Sequence, residues 1–146
     1  MKLFTLLLSL LSLSGCAVAP PLQTASGRPE VTIKTANVAK FRSLVISRAM
    51  SRGGELISDG PSSLVFSMPM PGGQAFAYQA FLGNASSTVP KKVLTLVFAT
   101  EGAQTRIFAS GKIEMKNAFG GDQSSGSMGG QLMQNDLEDV KRATDL

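Results

Sequence analysis

KVLTLVFATEGAQTRIFASGKIEMK, residues 92–116, decides the fold. Its second half, Thr105 to Lys116, alternates: Ile107, Ala109, Ile113 and Met115 point one way, Arg106, Ser110, Lys112, Glu114 and Lys116 the other. Successive side chains on a strand leave opposite faces, so a period of two predicts a strand with one wet side. The first half, Lys92 to Thr100, is apolar on both faces and predicts a central strand. Glu101-Gly102 between them predicts a hairpin. A sheet solvated on one side must bury the other, and helices elsewhere in the chain have to supply that cover.

Upstream, Asn37 to Arg52 carries the best helical pattern, with Asn37 as N-cap and Gly53-Gly54 as the stop. Val38, Phe41, Val45 and Ala49 share one face, Ile46 and Met50 extend it, and Lys40, Ser43, Ser47 and Ser51 lie opposite. Arg42 falls in the apolar arc, which predicts a side chain snorkelling at the sheet's edge. Glu30 to Thr35 reads as a strand before this helix. After it, Glu55 to Ser58, Leu64 to Met68 and Ala75 to Leu82 read as strands, separated by the turn signals Asp59-Gly60-Pro61-Ser62 and Pro69-Met70-Pro71-Gly72-Gly73. Residues 117 to 130, rich in Gly and Ser, read as a flexible linker, and Gln131 to Ala143 as a C-terminal helix with Leu132, Met133, Leu137 and Val140 on one arc. The expected class is α+β: one antiparallel sheet of about five or six strands with two helices on one face.

The N-terminus carries a different kind of signal. Met1-Lys2 is followed by an apolar run from Leu3 to Leu13, too short for the ~20 residues of a membrane span and suited to a secretory signal. Leu13-Ser14-Gly15-Cys16 resembles a lipobox, the processing site of bacterial lipoproteins. The resemblance implies cleavage between Gly15 and Cys16, lipid on the Cys16 thiol and an acylated amino terminus. Two or three acyl chains anchor essentially permanently where one is marginal. Ala17, where the sorting rule of this class would need Asp for inner-membrane retention, implies the periplasmic face of the outer membrane. Residues 16–29, with Pro20-Pro21, read as a tether, and residues 30–146 as a single domain.

The element order is similar to the helix-grip and TATA-box-binding-like folds; among lipoproteins the C subunit of the outer-membrane β-barrel assembly machinery carries a helix-grip domain. The spacing of RGGEL, LVF, VPKKVLTLVF and TRIFASG resembles small bacterial and prophage-associated lipoproteins. The resemblance is one of pattern and transfers a fold, not a site.

Composition limits the chemistry further. The chain has no histidine and one cysteine, so Ser-His-Asp and Cys-His machinery is excluded, no internal disulfide can form, and no metal or other cofactor is expected. Asp136, Glu138 and Asp139 read as the solvated face of a helix, and the glycine pairs lack the Lys-Ser/Thr that follows a phosphate loop. No enzyme is expected. The formal charge of +4 on an exported chain points to acidic lipid head groups rather than nucleic acid. Two interaction surfaces are candidates: an apolar patch of Met68, Met70, Phe76 and Tyr78, and the wet strand face with Arg106, Lys112 and Lys116. These readings lead to a non-catalytic, membrane-anchored lipoprotein that docks an envelope protein during assembly or maintenance. The alternatives are a module binding a small apolar ligand between sheet and helices, and a prophage product that modifies the host surface.

Overall fold

The computed structural model describes residues 22–82, 88–116, 122–127 and 129–146. Gly15, Cys16 and Ala17, with the signal segment, lie outside the described residues. The architecture is α+β, built on one antiparallel sheet. In chain order the elements are β1 (Glu30–Lys34), a 3-10 turn (Thr35–Asn37), α1 (Val38–Ser51), β2 (Glu55–Gly60), β3 (Ser63–Pro69), α2 (Gly72–Leu82), β4 (Lys91–Glu101), β5 (Gln104–Lys116), β6 (Asp122–Ser127) and α3 (Gly130–Asp145).

The strands lie in the order β1-β5-β4-β3-β2, and β6 also pairs with β5. The long β5 organises the sheet. Along one edge it holds β1 against residues 104–108 and β6 against residues 112–116, while β4 covers the other edge. The β4–β5 hairpin turns at Gly102, whose φ of +58° lies where a side chain would be strained.

One face of the sheet is buried. Phe41, Leu64, Phe66 and Ile107 are fully inaccessible, and Phe41 meets Phe98 edge-on with ring centroids 6.4 Å apart. From α3, Leu137 and Val140 join the same cluster. Helix α1 ends in a Schellman motif, with the Gly53 N–H donating to Met50 O and the Gly54 N–H to Ala49 O. Gly53 takes the left-handed conformation this needs, at φ +76°. Asn37 makes no side-chain cap; its amide reaches Asp145 of α3 instead, at 3.5 Å. Met50 is exposed, because it sits roughly 140° around the helix from the centre of the buried arc. Arg42 does snorkel at the sheet edge: it donates to Gly60 O at 2.8 Å, pairs with Asp59 and stacks over Phe98 at 4.8 Å.

Three expectations need correction. Residues 75–82, read as a strand, belong to helix α2. The segment holds no β-branched or charged residue, and Ala75 and Tyr78, three apart, cover Met70 and Ile113 as a second small core. The Pro71 carbonyl accepts from the Ala75 N–H at 2.9 Å and closes the first turn. Residues 122–127, read as linker, form β6, since the edge of β5 offers backbone partners whatever side chains the incoming segment carries. Residues 22–29, read as tether, form a turn at Thr24–Gly27 and are tied to the sheet at their end by an Ala109 N–H to Pro29 O bond of 2.9 Å.

Helix α3 is pinned by one buried amide. Gln134 Oε1 accepts from the Glu30 N–H at 2.8 Å and its Nε2 donates to the Glu30 carbonyl at 3.0 Å, as a neighbouring strand would. Gln134→Leu leaves these groups without their partner, and a loss of about 1–3 kcal/mol is expected in urea denaturation. A change below a few tenths would show that water replaces the amide freely.

Candidate docking groove on the open sheet face

Odd positions of β3 and β4 and even positions of β5 project away from the helices. Register places Val65 beside Thr95, Ser67 beside Val93, Val93 beside Lys112 and Lys91 beside Glu114. Together they form a groove of about 690 Å³. Its floor is aliphatic, with Val65 and Val93 half-buried and Ile57 and Val89 largely exposed. Ile57 reaches it because the β2–β3 register shifts between Leu56 and Ser58, and such a bulge re-aims one side chain. An aliphatic floor on the solvated side of a sheet is the opposite of the usual alternation.

Lysines ring this floor. Lys112 pairs with Glu114 at 2.5 Å, and Lys91 has no ion pair among the described residues. Register sets Asp122 of β6 opposite Lys116. Of the sequence-derived candidates, the structure brings Lys112 and Lys116 to one site. It does not bring the others there. Arg106 turns toward β1, donating to both Glu30 oxygens at 2.8 and 3.0 Å while lying over Phe108 at 5.1 Å. Met70 packs under α2 against Tyr78, Phe76 points outward, and Met68 lines a cleft on the opposite face.

Arg106, with Ser26 second, holds the Glu30 carboxyl below its usual range. A depressed carboxyl stabilises the fold above its unfolded pKa, and that contribution disappears as pH falls through the folded value. Stability is therefore expected to decline on acidification below the ordinary glutamate range, and Glu30→Gln to make that decline shallower. Identical acid profiles in thermal denaturation would refute the role.

The cleft behind Met68 lies between α1, α3 and the sheet, with a volume of about 80 Å³. A cavity of ~150 Å³ is what holds benzene, so this space admits no acyl chain as it stands. It is lined on its polar side by Arg52, bonded to both Asp136 oxygens at 3.1 and 3.2 Å, and by Arg48, 3.5 Å from Asp139. Asp136 and Asp139 thus serve as ion-pair partners between α3 and α1. Among the described residues, no three Asp, Glu or Cys side chains gather where a metal could bind, and no helix is long and apolar enough to cross a membrane.

Comparison with known proteins gives no match: no family model, no curated protein and no solved structure matches the chain. The site must therefore be read from its own chemistry.

The groove floor could have been inferred in part. Val93 and Val97 make β4 apolar on both faces, and in a one-sided sheet the second apolar face has no helix to cover it. Ile57 and Val89 carried no such signal, since a bulge and a loop deliver them.

Proposed function

We propose that this chain is a lipid-anchored, non-catalytic envelope protein whose open sheet face docks an extended segment of a partner protein. Acylation at Cys16, with Ala17 directing the protein to the outer membrane's periplasmic face, supplies the anchor. The observation that carries the docking reading is the groove: an aliphatic floor of Ile57, Val65 and Val93 beneath a rim with three lysines to one glutamate. It suits a segment with apolar side chains for the floor and carboxylates for the rim. Burial of the apolar floor would supply affinity, and the lysines would supply orientation and encounter rate.

The test is crosslinking in intact cells with a photoreactive residue in place of Val93, alongside metabolic labelling with palmitate. A discrete crosslinked protein is expected, as is palmitate incorporation that Cys16→Ser abolishes. A domain that captures nothing would end the docking reading, and an unlabelled chain the anchoring one. The groove volume of about 690 Å³ favours one second reading, because small-molecule sites span ~300–1,000 Å³. A small apolar ligand would then lie on the open face. Native mass spectrometry would show it as added mass where docking shows none.

A further inference from the structure

Helix α2 is built inside out. Its sequence, GGQAFAYQAFL, has no charged residue. Ala75 and Tyr78 face Met70 and Ile113, so the exposed positions are Gly72, Gly73, Phe76, Ala77 and Ala80, flanked by an exposed Gln74. Phe76 is 74% exposed. A helix on a water-facing surface ordinarily turns charged and polar side chains outward; here Gln74 alone among the exposed positions is polar.

The N-terminal end of the described chain bears on what could cover it. Upstream of Glu30, which lies opposite Phe108, Pro29 accepts from the Ala109 N–H and the chain then turns at Thr24–Gly27. It then reaches Leu22, which lies against Gly130 at the start of α3. Only six residue steps separate Leu22 from Cys16. At ~3.3–3.6 Å per residue, even a fully extended connection spans about 20 Å. An acylated Cys16 would therefore hold the domain within about 20 Å of the bilayer. The tethered arc meets the lipid intramolecularly, so a contact too weak to recruit a free protein suffices.

We infer that the outward arc of α2, centred on Phe76, is a second membrane contact that enters the boundary between head groups and acyl chains. Phenylalanine on an apolar helix face suits that boundary. The nearest strand end adds Lys92, which register pairs with Met68 on one side and Ile113 on the other, as a cation for lipid phosphate. The contact orients the domain. With α2 against the bilayer, the opposite sheet face and its groove remain open to the periplasm. The inference rests on the proposed acylation of Cys16.

The chain contains no tryptophan, so Phe76→Trp gives a single reporter at an exposed position. The full chain carrying it, purified from cell membranes, is reconstituted in phosphatidylethanolamine–phosphatidylglycerol vesicles with brominated acyl chains. Val97→Trp, on the open sheet face, is the control. Emission from position 76 is expected to shift to shorter wavelength and lose at least half its intensity to bromine, while position 97 stays unquenched. Vesicle-bound protein with position 76 unquenched overturns the inference. So does a blue shift without bromine quenching, which marks cover by protein. Palmitate labelling separates the two failures: label without quenching leaves the anchor standing, and quenching without label leaves the α2 contact standing.

Discussion

Phe41→Ala is expected to lower the unfolding free energy by about 3–5 kcal/mol, enough to unfold much of the population if the domain sits near the low end of ordinary stability. Phe41 has no accessible surface, and its ring is the wedge by which α1 grips the sheet, edge-on to Phe98. Removing it leaves a cavity walled by residues of β-strands on one side and the helix backbone on the other, neither of which can collapse inward readily. The loss should spread. Arg42, next in sequence, stacks on Phe98 from the flank and binds the β2–β3 turn through Gly60 and Asp59, so loosening the helix also loosens that turn. Chemical denaturation of the two proteins measures the difference. A change under about 1 kcal/mol would mean that α1 is not packed as described. Phe41→Leu, which keeps most of the volume, should recover more than half the loss.

What could be read from sequence followed from how local each signal is. The alternation from Thr105 to Lys116 is a property of one strand, and it held: Ile107, Ala109, Ile113 and Met115 are buried while Ser110, Lys112 and Lys116 are exposed. The stripe of Phe41, Val45 and Ala49 and its Gly53-Gly54 stop are likewise local, and α1 follows them. Residues 75–82 misled because Phe76 and Tyr78, two apart, imitate a strand in a stretch too short for a helical period to declare itself. What selects the helix lies outside it: Met70 just upstream and Ile113 far downstream pack against Ala75 and Tyr78, three residues apart. β6 depends on the same kind of remote fact, a free edge on β5. The proposed Met68–Met70 patch divides at Pro69, which ends β3 between them. Met68 stays on the sheet facing the cleft, and Met70 passes beyond it under α2. The groove combines both cases. Lys112 and Lys116 were legible from alternation, but their company of Val65, Val89 and Ile57 arises from cross-strand register and a bulge, which no window of sequence contains.

Val65→Asp is expected to weaken partner capture more than 100-fold while leaving the fold in place. Val65 lies in the groove floor, half-buried, with Ser58 and Thr95 as its cross-strand neighbours and no lysine directly opposite. In the free protein an aspartate there keeps water on one side, so the expected change in stability is about 1 kcal/mol or less. In the complex the same carboxylate would lie beneath an apolar side chain with neither water nor a cation to compensate it. An uncompensated buried charge costs about 3–5 kcal/mol, which is the source of the expected loss. Thr32→Asp serves as the control, since Thr32 is exposed on β1, outside the groove, and faces Arg106. Crosslinking yield in cells reads the difference, with thermal denaturation confirming that both variants fold. Capture by Val65→Asp equal to that of the control would place the partner elsewhere on the molecule. Loss in both would instead implicate the charge of the whole sheet face. Only selective loss at Val65 identifies the aliphatic floor as the surface that a partner covers.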